Sequence, residues 1–221
     1  EFKKYKITSQ MRVLAGEDYI KYIENILNEN QEEVKRFGEY ELYIFDDLDN
    51  MHKAIRDKDE KYGLCRLIAG YAWDWKSKNN TDEYDIIIGD KKLRWNSTNK
   101  DWINSMNALE EVGCIHTTQG YDINYAGVIL GSEIVYRNNR IEIVKENYYD
   151  KNGKRTIVDE EELKKYIINI YKTILTRGIR GTYIYICDEA LREYFKRYID
   201  TANSDFEGLE KSIIENEKLN V

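Results

Sequence analysis

The chain of 221 residues contains no proline. Proline-rich stretches often act as stiff spacers between domains, and neither a linker nor an internal repeat is visible in this sequence. A chain of this length holds either one domain with a sizeable core or two small ones. Because nothing divides the sequence, we expect a single domain.

Cysteine is scarce. Cys65, Cys114 and Cys187 are widely spaced, and each lies in an apolar, strand-like run. Three such cysteines make a poor disulfide framework, and their spacing, even with His116 included, fits no zinc finger. We therefore expect buried free thiols, a reducing cytoplasm as the location, and no metal site.

Long apolar runs are also missing, and the first residues do not resemble a signal peptide. Apolar residues make up 42% and charged residues 34% of the chain, which is ordinary for a globular protein in water. The net charge of −7 argues against general adhesion to nucleic acid but leaves room for a local basic groove.

Short apolar runs alternate with amphipathic segments along the chain. The predicted strands are 5–8, 41–45, 64–69, 85–88, 112–115, 126–130 and 182–187. The predicted helices are 17–27, 48–62, 160–175 (capped by Asp159) and 189–199. A hairpin over 133–145 turns at Asn138-Asn139, and a further turn lies at 150–153. This alternation is typical of an α/β fold with a mostly parallel sheet and helices on both faces.

The four tryptophans of the chain all lie in one segment, residues 70–103, among lysines and one arginine. We interpret this segment as a Trp-rich insertion that leaves the sheet. Its tryptophans are Trp73, Trp75, Trp95 and Trp102. They fit two roles, either a platform on which single-stranded bases stack or an apolar cover of the sheet.

Three polar clusters follow or precede predicted strands, at 10–12, 116–122 and 176–180. Groups at the carboxyl ends of parallel strands meet in one crevice, so we expect these clusters to converge there. Arginine suits phosphate oxygens, and hydroxyls and amides suit a sugar–phosphate backbone. The residues therefore predict a site for a nucleotide, a nucleic-acid strand, or both.

Two of the clusters also have a simpler interpretation. The stretch 116–122 would be a polar strand end with a helix cap at Thr118. Arg177 and Arg180 would be ordinary cations at a helix end, followed by a glycine cap.

A pair of acids, Asp46-Asp47, together with Asp85, could serve a metal-dependent nuclease. An acid that follows a strand and caps the next helix is the simpler interpretation.

Three short motifs resemble those of a known group of proteins, superfamily 1 helicases, and occur in the same order. These are Gln10-x-Arg12 (motif IV), His116-Thr117-Thr118-Gln119-Gly120-x-Asp122 (motif V) and Leu175-Thr176-Arg177 (motif VI). The sequence is most similar to the Schlafen group-3-like DNA/RNA helicase domain family, known from bacterial P-loop proteins, over about residues 5–188. Motif V is the most specific of the three.

The resemblance implies a second RecA-like domain over 1–203, with the insertion at about 70–103, followed by a charged tail at 204–221. In such proteins ATP lies between two RecA-like halves, and arginines of the second half reach its γ-phosphate. Carried over, these catalytic residues are Arg177 and Arg12, with Arg180 as a weaker candidate.

The same resemblance assigns further contacts to this half. Gly120 and Asp122 would bind ATP, through a backbone amide near the γ-phosphate and an acceptor for the ribose hydroxyl. Gln10 would also bind ATP, although it stands where asparagine is more usual. The nucleic-acid contacts would come from His116, Thr117, Thr118 and Gln119.

The chain has no phosphate-binding G-x-x-x-x-G-K-[ST] loop. Gly153-Lys154 is followed by Arg155, and Tyr148 stands where the first glycine should be. We therefore expect the chain to be a piece of a larger polypeptide, with an upstream P-loop domain that holds ATP and Mg²⁺.

On this interpretation the partners are the upstream domain and DNA or RNA, with no membrane involved. The intact parent is an ATP hydrolase of helicase type, whereas the fragment alone is inactive and binds no cofactor tightly. The alternative is a non-catalytic module of RecA-like fold that binds nucleic acid or protein.

Overall fold

The computed structural model describes residues 12–150 and 159–202. Within these ranges lie four α-helices: α1 (Gly16–Leu27), α2 (Leu48–Tyr62), α3 (Glu160–Leu175) and α4 (Glu189–Lys196). The strands are β1 (Glu41–Ile44), β2 (Arg66–Ala69), β3 (Ile86–Ile88), β4 (Lys91–Trp95), β5 (Glu111–Gly113), β6 (Ile123–Leu130), β7 (Ile134–Arg137), β8 (Arg140–Ile143) and β9 (Gly178–Ile186). Short 3₁₀ helices cover Trp102–Asn104 and Lys145–Asn147.

Seven strands form one sheet in the order β1-β9-β6-β2-β5-β4-β3. Every neighbouring pair is parallel except β3 and β4, which are antiparallel. The long strands β9 and β6 are the second and third strands of this sheet and are mostly buried, as parallel strands covered on both faces are. The predicted α/β fold of RecA-like type, with a mostly parallel sheet, is confirmed.

Helices cover both faces of the sheet. Successive residues of a strand point to opposite faces, and Val128 of β6 packs with α1, α3 and α4, whereas the next residue, Ile129, packs with α2. Asp47, Asp159 and Asp188 cap α2, α3 and α4 by accepting a backbone N–H three residues further on. The predicted helices and the predicted Asp159 cap are confirmed.

The predicted hairpin is present as β7 and β8, a separate two-stranded sheet. Its two turn residues, Asn138 and Asn139, have φ of 52° and 61°. A two-residue hairpin turn with both φ values positive matches the twist of the flanking strands, and asparagine tolerates this conformation better than most residues.

The Trp-rich segment is less of an excursion than its sequence indicates. It supplies the edge strand β3 and also β4, which pairs in parallel with β5 inside the main sheet. The sequence of β4 is Lys-Lys-Leu-Arg-Trp, and the structure buries Leu93 and Trp95 from it. Two apolar residues are too weak a periodic signal for a strand, so its pairing with β5 is what establishes it.

Three predicted features lie outside the described residues: the strand at 5–8, most of the turn at 150–153 and the tail from 204. Of the helices that the structure describes, none has the length and apolar character needed to cross a membrane.

Candidate functional site

The amino ends of β6 and β9 bring the predicted arginines and acid together. Ile123 of β6 is paired with Gly178 of β9, so the preceding residues, Asp122 and Arg177, occupy neighbouring positions. The segment that carries Arg12 lies alongside, because the N–H of Leu14 donates to the carbonyl of Ile179 over 3.0 Å. Three residues far apart in the sequence thus form one cluster.

Within this cluster Arg12 and Asp122 form an ion pair. Arg12 Nε donates to Asp122 Oδ1 over 2.8 Å, and the two side chains are 40% and 65% exposed. An ion pair in such contact with water contributes about 0–1 kcal/mol to stability. Either residue can therefore exchange its present partner for another at little cost in free energy.

Arg177 is in the opposite situation. It is only 7% exposed, and its Nε is buried without a hydrogen-bond partner. Burial lowers the pKa of its guanidinium, the nearby charge of Arg12 lowers it further, and Asp122 acts against both.

The local sequence explains why Arg177 is held so closely between α3 and β9. Helix α3 ends at Leu175 and β9 begins at Gly178, which leaves two residues for the connection. A Cβ on Gly178 would lie 2.0 Å from the carbonyl oxygen of Gly181, so only glycine fits there. Gly178 therefore allows the close passage from helix to strand, whereas the helix itself ends with Thr176 as its C-cap residue and without a glycine cap.

Gly120 lies just before this cluster and is exposed. Its φ is 86°, and no atom lies within 4 Å of the position that a Cβ would take. Glycine is thus required by the backbone conformation, and the space beside it is open. The proposed contact of its amide with a phosphate stays a prediction.

The first half of the polar stretch, residues 116–119, lies at the carboxyl ends of the strands, opposite the end that holds the arginine cluster. Ile68 of β2 is paired with both Gly113 and Val128, so the end of β5 is level with Val128, five residues beyond Ile123. Five residues of strand span about 16 Å. The expectation of one crevice at the carboxyl ends is wrong, because Asp122 and Arg177 directly precede β6 and β9 and Arg12 pairs with Asp122.

The two threonines of this half are turned inward. Thr117 Oγ1 accepts from the N–H of Cys114 over 3.0 Å, and Thr118 Oγ1 donates to the carbonyl of Cys114 over 3.2 Å. Thr117 is 4% exposed and Thr118 is fully buried. Their hydroxyls close the turn after β5, and their contact with nucleic acid stays a prediction.

His116 and Gln119 are exposed in the same turn. The ring of His116 lies 6.1 Å from that of Tyr71, measured between centroids, at the carboxyl end of β2. Arg180 is exposed on β9, where its guanidinium carbon lies 4.9 Å from the ring centroid of Tyr62. Gln10 lies outside the described residues.

The acids proposed for a nuclease have other partners. Asp46 pairs with Lys196 over 2.7 Å, and Asp47 caps α2. Asp85 accepts from the N–H and hydroxyl of Ser77 and from the N–H of Trp95. Among the described residues no group of three or more His, Cys, Asp or Glu side chains is arranged to hold a metal ion. The contact of Asp47 with the N–H of Asn50 agrees with the simpler interpretation of this residue as a helix cap.

The predicted free thiols are confirmed, since all three cysteines are unpaired, with Cys65 and Cys114 buried and Cys187 half-buried.

One unusual residue was missed by the sequence interpretation. Glu133 follows β6 and is fully buried, with one oxygen accepting from the hydroxyl of Tyr171 and the other without a partner. Burial raises its pKa to about 7. A lone acid between two apolar runs, Val-Ile-Leu-Gly-Ser-Glu-Ile-Val, is the sequence signal that could have found it.

Comparisons with known proteins agree with the motifs. Residues 1–188 match the family described as Schlafen group 3, DNA/RNA helicase domain. The chain is also 34% identical over 218 residues to the uncharacterized protein YPL245W of Saccharomyces cerevisiae. That alignment covers 87% of this chain and 48% of the yeast protein, so the chain spans about half the length of this relative.

No solved structure matches the chain. The family match extends from the first residue to the start of α4 and includes all three motif regions. This chain therefore belongs to the Schlafen group 3 DNA/RNA helicase domain family.

Proposed function

We propose that this chain is the C-terminal RecA-like half of a nucleic-acid-dependent ATPase of superfamily 1 type. In this proposal Arg12 and Arg177 act on the γ-phosphate of ATP, and a P-loop domain elsewhere in the protein supplies the phosphate loop and the Mg²⁺ site. The observation that carries the proposal is the state of Arg177: buried, without a partner for Nε, and beside a second arginine.

The chemistry follows from charge. Phosphoryl transfer spreads negative charge over the oxygens of the γ-phosphate, and guanidinium groups positioned in advance stabilise it. Arg177 is held rigidly between α3 and β9, and Arg12 is held by an exposed ion pair. A phosphate that replaces Asp122 as the partner of Arg12 would satisfy both arginines at once.

The carboxylate released in this exchange would then be able to accept from a ribose hydroxyl, the role that the resemblance assigns to Asp122. Arg180 is directed to Tyr62 instead, so the proposal gives it no part in phosphate binding. Nucleic acid would contact the exposed His116 and Gln119 at the opposite edge of the sheet.

The decisive experiment measures nucleic-acid-stimulated ATP hydrolysis in the intact protein. Arg177→Ala should lower turnover by about 10³–10⁵, the usual contribution of an arginine that stabilises a transferring phosphoryl group. Arg177→Lys should recover little, because lysine keeps the charge but loses the planar fork.

Arg36→Ala is the matched control, since Arg36 pairs with Asp200 on the surface and lies outside the cluster. Circular dichroism of each variant checks that it is folded. Full turnover in a folded Arg177→Ala variant would refute the assignment.

A second candidate function is a binding module without ATP turnover. It is favoured by one observation, the absence of a phosphate-binding loop from the 221 residues. The same assay distinguishes the two candidates. If the chain is a binding module, the intact protein should bind the strand, but the strand should stimulate no ATP hydrolysis.

A further inference from the structure

Four aromatic rings gather at the carboxyl edge of the sheet, where β2, β5 and β4 end side by side. The ring centroid of Trp95, the last residue of β4, lies 5.8 Å from that of Tyr71, 6.4 Å from that of Trp73 and 6.3 Å from that of Trp75. We call these four residues the aromatic shelf.

The shelf has an inner and an outer layer. Trp95 is 1% exposed and belongs to the core, whereas Tyr71, Trp73 and Trp75 are half-buried and pack over it. The fourth tryptophan of the segment, Trp102, is fully buried against Gly113 and takes no part. Two roles were open to the tryptophans. Trp95 and Trp102 cover the sheet, whereas Trp73 and Trp75 keep part of their ring surface exposed and accessible to a ligand.

The outer rings are held in place before any ligand arrives. The carboxylate of Asp85 accepts hydrogen bonds from Ser77 and from the N–H of Trp95, which fastens the loop that carries Trp73 and Trp75 to β4. Trp73 lies against Gly131, where an added Cβ would be 3.2 Å from its ring. Rigid aromatic surfaces bind with less loss of conformational entropy than mobile ones.

The surroundings of the shelf suit a strand with bases and phosphates. Lys78 Nζ lies 5.6 Å from the ring centroid of Trp75, and Lys76 is exposed beside it. Asp74 is also exposed, whereas the carboxylate of Asp85 is bonded to Ser77 and to the N–H of Trp95, and Asp150 lies near Tyr71. On the other side the ring of His116 is close to that of Tyr71. Aromatic faces with interleaved cations are the usual means of binding single strands without sequence preference.

We infer that the aromatic shelf binds single-stranded nucleic acid by stacking bases on Trp73 and Trp75, beside His116. The inference rests on the proposed function for the class of partner and adds a site that the three motifs do not contain. It makes strand binding a property of the carboxyl edge, about 16 Å along the strands from the arginine cluster.

The test measures fluorescence anisotropy of a labelled single-stranded oligothymidine on the protein without nucleotide. Trp73→Leu and Trp75→Leu should each raise the Kd about 5- to 150-fold, the range expected for loss of one stacked base. Trp75→Phe should recover most of the affinity, because it restores an aromatic face. An abasic strand of the same length, which keeps the phosphates but loses both stacked bases, should bind the wild-type protein more weakly than oligothymidine binds either leucine variant.

Tyr43→Leu is the matched control, a half-buried aromatic residue on the edge strand β1 at the far side of the sheet. Equal affinity of the wild-type protein and both leucine variants would overturn the inference and leave the proposed function intact. Equal affinity for the abasic strand would also overturn it, in favour of phosphate contacts alone. No binding of any strand by the wild-type protein would count against both, whereas loss of ATP turnover in Arg177→Ala bears on the proposed function only.

Discussion

Arg12 donates to the carboxylate of Asp122, 110 residues further along the chain, over a distance of 2.8 Å. This bond joins two of the sequence motifs through a contact that the helicase resemblance does not include, because there the acid serves the ribose. If ATP binds here as proposed, the position of Asp122 beside the buried Arg177 makes it a competitor of the phosphate as well as a candidate ligand of the sugar.

Replacing this acid separates the two roles. Asp122→Asn removes the charge that holds Arg12, so we expect the Kd for inorganic tripolyphosphate, measured by calorimetry on the intact protein, to fall a few-fold. The free energy of unfolding in urea should change by less than about 1 kcal/mol, because both partners are largely exposed.

Comparison of ATP with tripolyphosphate reveals the ribose contact. If Asp122 accepts from the ribose, Asp122→Asn should bind ATP relatively less well than tripolyphosphate. Weaker binding of tripolyphosphate by the variant would contradict the competition between carboxylate and phosphate.

The buried Glu133 predicts a dependence of stability on pH. Burial raises its pKa from the ordinary 4.5 to about 7, so the folded state holds this proton more tightly than the unfolded state. The stabilisation is complete below about pH 4.5 and is lost as the pH rises to about 7. Over that interval the wild-type protein should lose about 3 kcal/mol relative to Glu133→Gln.

Urea unfolding of both proteins at several pH values measures this difference. The comparison cancels groups that titrate alike in both proteins, and burial raises the pKa of the Cys187 thiol to about 12, so that it stays protonated over this interval. Parallel curves for the two proteins would show that Glu133 keeps an ordinary pKa.

The passage from α3 to β9 predicts a steric effect. A Cβ at Gly178 would lie 2.0 Å from a backbone oxygen, which a side-chain rotation does not relieve. Gly178→Ala should therefore destabilise the fold by about 1–3 kcal/mol or more and displace Arg177. Gly89→Ala is the control: its φ is 56° but no atom lies within 4 Å of the added Cβ, so it should lose only about 1 kcal/mol. Equal losses would refute the steric account.

Local chemistry made part of the fold predictable. Helix α2 begins and ends where expected because Asp47 caps it and Gly63, with φ of 66°, follows it. Its apolar face and the neighbouring apolar strands have strong periodic signals. These features depend on residues close together in the sequence.

The order of strands in a sheet depends on residues far apart in the sequence, and the incorrect predictions arise from this. Which edge holds Arg177 and Asp122 depends on the pairing of β9 with β6. The separation of Trp95 from Trp75 into core and surface likewise depends on contacts between β4 and distant strands. The sequence predicted that the polar clusters converge, whereas the structure brings only Arg12, Asp122 and Arg177 together and places residues 116–119 at the opposite ends of the strands.

The connection from Cys114 to Asp122 has a mechanical consequence. It starts at the edge with the aromatic shelf and ends at the edge with the arginines, and the hydroxyls of Thr117 and Thr118 fasten its first turn. We expect this connection to couple a displacement of His116 to the carboxylate of Asp122, which restrains Arg12. A glycine inserted after Gln119 should then leave strand binding and phosphate binding intact while abolishing stimulation of one by the other. Normal stimulation in that variant would show that the force takes another route.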